Sequence, residues 1–302
     1  MQQPIEPAKR AWPVLEWFAI VASLVVIGFG LYFSYGLKFS GRPLPHGLQR
    51  PILAMEVPAS SDEIRLILGC KVEKQKPDCR DQLAQQDIST MRLAQYVDWA
   101  FIPWYTALFL AAALIEWMTA GRGWRWLALV SASAVMVAAV FDYAEDKWIL
   151  AALDRVASTL ALNSEAIAQC GWTKWMLLFV ALLGLLPLMF ARAEMSMTFR
   201  IIARLMCALV GVSAMAGLVA CTLRNPARLE SAATAFAVVP FFFLLRKFLH
   251  RGTLAALNSL AKWWGLRVLA RWPDFLFETH ERLQTPAEGD REHIPAGPGG
   301  AV

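Results

Sequence analysis

Residues 124–150 read WRWLALVSASAVMVAAVFDYAEDKWIL, a long apolar run that ends in three acids. Residues 124–144 are almost entirely apolar, and about 20 such residues are needed for an α-helix to cross the hydrocarbon core of a bilayer. Asp142, Glu145 and Asp146 then fall within about one helical turn. The stretch therefore predicts a membrane-spanning helix with an acidic cluster at one end.

The composition extends this prediction to the whole chain. Of 302 residues, 57% are hydrophobic and only 18% are charged, and the mean hydropathy is +0.44. A soluble domain of this length would need more polar surface, so we expect an all-α integral membrane bundle. The chain has thirteen Trp residues, and many lie near the ends of apolar runs. Trp is enriched at the membrane–water interface, so this placement agrees with membrane-spanning helices. The net charge of +5 is spread along loops and tail, which argues against a nucleic-acid partner.

Six stretches are long and apolar enough to span a membrane. The first follows Lys9 and Arg10 and resembles a secretory signal, but it is too long for one and no cleavage site follows, so we expect it to be retained. Residues 97–249 contain the other five. The predicted spans are 14–36, 97–119, 124–144, 172–192, 199–221 and 231–249.

Six spans put both termini on the same side of the membrane. Lys and Arg residues near the span ends are more numerous on the side of the N-terminus, which predicts a cytoplasmic N-terminus (1–13) and a cytoplasmic C-terminus.

Segment 37–96 is predicted to be a small extracytoplasmic helical domain between the first two spans. Ser60 lies three residues before Glu63, the spacing of a capping box, and Gly69 suits the residue just after a helix. Residues 80–96 predict a second helix that leads into the next span.

Three further segments outside the spans have a predicted structure. Residues 145–171 predict a short amphipathic helix between the third and fourth spans. Residues 250–282 predict a basic amphipathic helix that binds anionic lipids of the inner leaflet or packs under the bundle. Residues 283–302 are rich in Pro and Gly, which is typical of a disordered tail.

Four of the five cysteines fall on the predicted outer side, where disulfides are allowed. The spacing suits a Cys70–Cys79 bridge, with Cys170 and Cys221 as a natural second pair. Four cysteines allow three connectivities, and free thiols acting as small apolar residues are the alternative.

The histidines argue against a haem or a histidine-rich di-iron centre. His46, His250, His280 and His293 all lie outside the predicted spans, whereas such centres need imidazoles at facing depths. The sequence contains no phosphate-binding loop motif and no zinc-protease helix motif. We therefore predict no cofactor, and a metal ion bound by carboxylates remains an alternative.

Asp142 is the acid that we expect to face the bundle. The positions three and four residues before Asp142, and those one and two turns further back, carry small side chains that allow another helix to approach closely. These residues are Ala139, Ala138, Val135, Ala134 and Ser131. Asp146 is expected to be solvated instead.

Carboxylates at a helix C-terminus oppose the helix dipole, so this cluster should need a compensating partner. A cation, a bound metal ion or a proton could compensate. Asp98 opens the second predicted span at the same level, either as part of the cluster or as an ordinary N-cap. The candidate cations are basic residues of segment 37–96 together with Lys147, Arg155, Lys174, Arg224 and Arg228.

Residues 50–150 resemble a group of uncharacterised bacterial inner-membrane proteins. The likeness is carried by RPILAMEVPASSDEIRLILG, YVDWAFIPWYTALFLAA and AAVFDYAEDKWIL. In that group an Asp with aromatic neighbours opens one span, and a Phe-Asp-x-x-Glu-Asn signature closes the next. Asp98, Asp142 and Glu145 match this pattern, while Asp146 replaces the usual Asn. The resemblance implies a membrane fold, located in the bacterial inner membrane, and no particular activity.

Three functional hypotheses remain. The first is a non-enzymatic membrane protein in which the outer acids form ion pairs with basic residues, attach the first loop to the bundle or contact a ligand. The second is an enzyme that acts on a lipid-like substrate, with Asp98, Asp142 and Glu145 as acid–base groups or ligands of a hard cation. The third is a transporter, since acids inside membranes often mark ion paths.

Overall fold

The computed structural model describes residues 7–73, 76–119, 125–190 and 197–233, together with Phe236, Pro240, Phe241 and Leu244. The chain divides into two compact units. The first comprises residues 1–193 and 201–246 and holds nearly all the described structure; of the second, only residues 197–200, the first turn of a helix, are described.

The described residues form eight α-helices and one two-stranded antiparallel sheet. Short π-helical and 3₁₀ turns, Tyr32–Gly36 and Pro45–Gly47, follow the first helix. In chain order the elements are α1 (Pro7–Leu31), α2 (Pro51–Glu56), α3 (Ser61–Ile67), β1 (Lys71–Glu73), β2 (Lys76–Asp78), α4 (Gln82–Thr119), α5 (Arg125–Arg155), α6 (Ser164–Phe190), α7 (Met197–Thr222) and α8 (Pro226–Ala233).

Five of the described helices are long and apolar enough to cross a membrane, which confirms the prediction of a mostly helical chain with membrane-length helices. The predicted sixth span (231–249) lies largely outside the described residues. The predicted amphipathic helix (250–282) and tail (283–302) lie wholly outside them. The five candidate spans are Val14–Gly36, Gln82–Met118, Arg125–Arg155, Ser164–Leu186 and Arg204–Thr222.

One face of α7 shows how these helices present apolar side chains outward. Large apolar residues recur every three or four positions on it and remain exposed. Such a stripe is costly in water and favourable against lipid chains. Its members are Leu205, Leu209, Val212, Met215 and Val219.

Three helices extend beyond the predicted spans, and one of them, α6, begins at Ser164 instead of residue 172. The predicted loop helix and second span form one continuous helix, α4, and α5 continues to Arg155 instead of ending at residue 144. The prediction of a separate amphipathic helix within 145–171 is therefore wrong. Ile149, Ala152 and Leu153 explain the extension, because they continue the buried face of α5 by three- and four-residue steps.

The predicted small-residue face of α5 is confirmed, since all its members are buried. Ser131 on this face donates a hydrogen bond to the carbonyl of Ala181 on α6 at 2.9 Å. A Cβ atom on Gly184 would lie 2.9 Å from the carbonyl oxygen of Leu127, so glycine is needed for this close approach. The small side chains thus bring α5 and α6 into backbone contact.

The first loop (37–81) connects α1 to α4, and its predicted helix caps are confirmed at both ends of α3. The Ser60 hydroxyl accepts from the N–H of Glu63 at 3.1 Å, and the Glu63 carboxylate accepts from the N–H of Ala59 at 2.8 Å. Gly69 follows the helix with φ +72°, a left-handed conformation that glycine adopts without steric cost. Cys70 and Cys79 form the predicted disulfide and enclose the hairpin of β1 and β2.

The second expected disulfide is not formed, because Cys170 and Cys221 are free thiols. The register of α6 against α7 gives the reason. The ring of Phe179 on α6 packs on Gly217 of α7. Cys221 is four residues after Gly217, and Trp175 is four residues before Phe179, so Cys221 lies level with Trp175. Cys170 lies five residues further along α6, about 7.5 Å along the axis, which exceeds the usual Cα separation of a disulfide.

Candidate functional site

Lys174 is a buried cation in the apolar sequence CGWTKWMLL of α6, with only 3% of its surface exposed. Its Nζ atom lies 2.9 Å from Asp142 Oδ1, 2.7 Å from Glu145 Oε2 and 3.2 Å from Glu56 Oε1. All three carboxylate side chains are buried as well. We refer to Lys174, Glu56, Asp142 and Glu145 as the Lys174 cluster. One of the candidate cations is thereby identified as the partner of the predicted acids.

The acids of α5 lie within the helix rather than at its end. Glu145 and Asp146 follow Asp142 by three and four residues, so all three lie on one side of the helix, and that side points into the bundle. Asp142 is buried as predicted. The expectation of a solvated Asp146 is wrong, because only 2% of its surface is exposed. The three acids are also not opposed by the helix dipole as predicted, since α5 continues nine residues beyond Asp146.

A tyrosine from α4 completes the contacts of Asp142. The Tyr105 hydroxyl donates to Asp142 Oδ2 at 2.7 Å, while Lys174 donates to Oδ1. Both oxygens of one carboxylate are thus bound by donors from two other helices. Asp142 therefore joins α4, α5 and α6 at one point in the bundle.

Glu56 brings the first loop into the cluster. It is the last residue of α2, and the indole N–H of Trp175 donates to its Oε2 at 2.7 Å. A Cβ atom on Gly171 would overlap the backbone carbonyl oxygen of Glu56. Burial raises the pKa of Glu56 above its ordinary value, and the charge of Lys174 opposes this increase. The end of α2 is therefore pressed directly onto α6.

Sequence reasoning did not single out Glu56. A signal was present, because Glu56 is the lone acid of the stretch PILAMEV, where its neighbours Met55 and Val57 are also buried. An isolated charge among apolar residues indicates a buried partner. The same signal was present at Lys174.

A second carboxylate group shares Asp142 with the Lys174 cluster. Asp98 from α4 and Asp142 and Asp146 from α5 each offer an oxygen, and these three oxygens all lie within 4.8 Å of one another. Asp98 lies sixteen residues after the start of α4, so its alternative reading as an N-cap is wrong. We call these three residues the aspartate trio. The four acids predicted as a polar cluster are thus brought together, with Glu56 as a fifth.

Negative charge exceeds positive charge at this site. Lys174 is the one basic residue within ion-pair distance of any of the five acids in the part of the chain that the structure describes. Asp146 Oδ2 and Glu145 Oε1 are buried without a hydrogen-bond partner among the described residues. Protons or a further cation can supply the missing charge. Among the other candidate cations, Lys147, Arg155, Arg224 and Arg228 are exposed.

A second buried cation attaches the first loop to the connection between α5 and α6. Arg65 on α3 donates to the carbonyls of Ser158 and Leu160, both at 2.9 Å, and to that of Val156 at 3.4 Å. It also pairs with Asp62 at 2.8 Å. Arginine suits this position because its planar group offers five donors in fixed directions.

The segment after α7 contacts the same loop. The Glu230 carboxylate on α8 accepts from the backbone N–H of Gln49 at 3.0 Å and lies 3.8 Å from Arg50 Nε. The first loop, the α5–α6 connection and α8 therefore meet at one end of the helix bundle.

Comparison with known protein families, with curated proteins and with solved structures gives no match. The resemblance carried by Asp98, Asp142 and Glu145 stays a prediction.

Proposed function

We propose that this chain is a non-enzymatic polytopic protein of the bacterial inner membrane, with six spans and both termini in the cytoplasm. The Lys174 cluster acts as a structural group of ion pairs that holds the first loop (37–81) on the outer end of the bundle. One observation carries the proposal: a single buried ammonium group binds Glu56 of the loop together with Asp142 and Glu145 of the bundle.

The connectivity of the cluster supports a structural role. Each contact of Lys174 crosses between elements, and Trp175 and Gly171 of the same helix contact the same end of α2. Breaking a buried ion pair by removing one partner typically costs about 3–5 kcal/mol, since the other charge is left uncompensated. Such contacts favour one fixed position of the loop over any alternative.

The loop itself supports an extracytoplasmic location. The Cys70–Cys79 disulfide suits an oxidising compartment. With the N-terminus inside, the first loop, the α5–α6 connection and α8 would all lie outside, in agreement with their mutual contacts. Lys and Arg residues near the predicted inner span ends favour the same orientation.

Replacement of Glu56 tests the proposal, because Glu56 is the loop's own member of the cluster. In Glu56→Ala, amide hydrogen exchange in residues 52–57 of the detergent-solubilised chain should accelerate at least tenfold, while exchange around Asp142 in α5 stays within about twofold. Loss of the ion pair releases α2 locally, and local opening is what exchange reports.

Glu165→Ala is the matched control, since Glu165 is an exposed glutamate in the first turn of α6. This variant should leave exchange in α2 unchanged. Equal exchange rates in Glu56→Ala and the unmodified chain would show that the cluster does not hold the loop.

A further inference from the structure

We propose that the aspartate trio binds a hard divalent cation, and that Ca²⁺ fits it best. The proposed cation site has a different role from the Lys174 cluster, which attaches the loop, although Asp142 belongs to both groups. The trio consists of Asp98 on α4 and Asp142 and Asp146 on α5.

The backbone places the three carboxylates for joint coordination. Asp142 and Asp146 are four residues apart on α5, so their side chains lie one above the other on one face. Asp98 approaches that face from α4, where the neighbouring contact of Tyr105 with Asp142 fixes the two helices against each other. Three donors on two rigid helices form a prearranged site.

The separation of the oxygens fits the size of Ca²⁺. Ca²⁺ binds oxygen at about 2.3–2.6 Å, so two ligands on opposite sides of the ion lie about 4.8 Å apart. The three trio oxygens all lie within 4.8 Å of one another, and one Ca²⁺ coordination sphere can hold them. Ca²⁺ also accepts flexible coordination by several carboxylates, whereas Mg²⁺ demands near-ideal octahedral geometry and is usually held by one or two carboxylates.

An unpartnered buried oxygen points to a ligand at this place. Asp146 is 2% exposed, and its Oδ2 atom has no hydrogen-bond partner among the described residues. An ionised carboxylate in that situation is strongly unfavourable unless a cation or a proton compensates it. Lys174 lies within ion-pair distance of Asp142 but, among the described contacts, not of Asp98 or Asp146.

The contacts of Asp142 leave room for a metal bond. Lys174 and Tyr105 occupy one position on each of its oxygens, and an ionised carboxylate offers about four lone-pair positions. Carboxylate oxygens without nitrogen or sulfur donors favour hard cations over zinc. Three protein ligands leave several coordination positions of Ca²⁺ for water or for an oxygen of a bound molecule.

Direct metal binding tests the site. The full-length protein in detergent is freed of metal with a chelator and titrated with CaCl₂ by calorimetry. We expect one saturable site with a dissociation constant of about 10⁻⁵–10⁻³ M. Tb³⁺ should bind in place of Ca²⁺ and show luminescence excited through Trp99 or Tyr105, which Ca²⁺ quenches by competition.

Matched variants locate the ion. Asp98→Asn and Asp146→Asn should each weaken Ca²⁺ binding at least tenfold, while Asp154→Asn should change it less than twofold. Asp154 is the control because it also lies on α5 but is exposed and pairs with Arg92. Asp146→Asn should remain folded in chelator, since it removes an uncompensated buried charge, so its binding can be measured.

Two results would overturn the proposal. One is the absence of saturable Ca²⁺ binding to the folded, unmodified chain. The other is folded Asp146→Asn protein that binds Ca²⁺ as tightly as the unmodified chain, which would place any bound ion elsewhere.

Discussion

Two buried cations attach the first loop to the helices, and their surroundings differ. Arg65 binds one exposed acid, Asp62, and otherwise neutral backbone carbonyls. Lys174 binds three buried carboxylates, with Asp98 and Asp146 close by. Charge is balanced around Arg65, whereas around Lys174 acids outnumber cations by five to one.

This difference separates two uses of a buried cation. A balanced site such as that of Arg65 fixes one chain segment to another and needs no further ion. A site with excess negative charge also fixes segments, but it retains the capacity to bind protons or a metal ion. The two sites therefore should respond differently to the loss of their cation.

The largest effect is expected for Lys174→Met. Removing the ammonium group leaves three buried carboxylates without their cation, and we expect a loss of about 3–5 kcal/mol in the free energy of unfolding. Thermal unfolding in detergent, followed by tryptophan fluorescence, measures this loss. Lys147→Met, at an exposed position of α5, is the control and should change stability by less than about 0.5 kcal/mol.

A smaller effect is expected for Arg65→Met. The variant leaves neutral carbonyls without donors instead of leaving uncompensated charges, so we expect a loss of about 2–3 kcal/mol. The same unfolding assay measures it, with the exposed Arg155→Met as control. A larger loss than in Lys174→Met would contradict the distinction between balanced and unbalanced sites.

The smallest effect is expected for Gly171→Ala, which leaves both cations in place. The new methyl group would overlap the carbonyl of Glu56 and displace α2, at a cost of about 1–2 kcal/mol. Exchange in residues 52–57 should accelerate. Gly28→Ala on α1 is the control, because its Cβ would meet no atom within 4 Å. Similar exchange in both variants would mean that α2 does not depend on its contact with α6.

Local patterns in the sequence were sufficient for several features. The small-residue face of α5 predicted the inward direction of Asp142, and Ser60, Glu63 and Gly69 marked both ends of α3. The disulfide between Cys70 and Cys79 followed from short spacing. These features depend on residues a few positions apart, so the chain itself fixes their geometry.

Features that depend on distant residues were missed. Glu56 and Trp175 are 119 residues apart, and nothing near Glu56 in the sequence identifies its partner. Asp146 was misplaced because the end of the apolar run was taken as the end of α5, although packing against α6 extends the helix. The prediction of a Cys170–Cys221 disulfide was wrong because the register of α6 against α7 separates the two residues. The spacing of cysteines along the sequence does not encode that register.

The attachment of the loop by Arg65 and Glu56 also sets an order of assembly. The chain is synthesised from its N-terminus, so α2 and α3 are complete before residues 156–162 and Lys174 exist. The first loop can close its disulfide early, since both cysteines lie within it. It can reach its final position only after the α5–α6 connection and Lys174 have been synthesised, which makes docking of the loop a late step in the maturation of the protein.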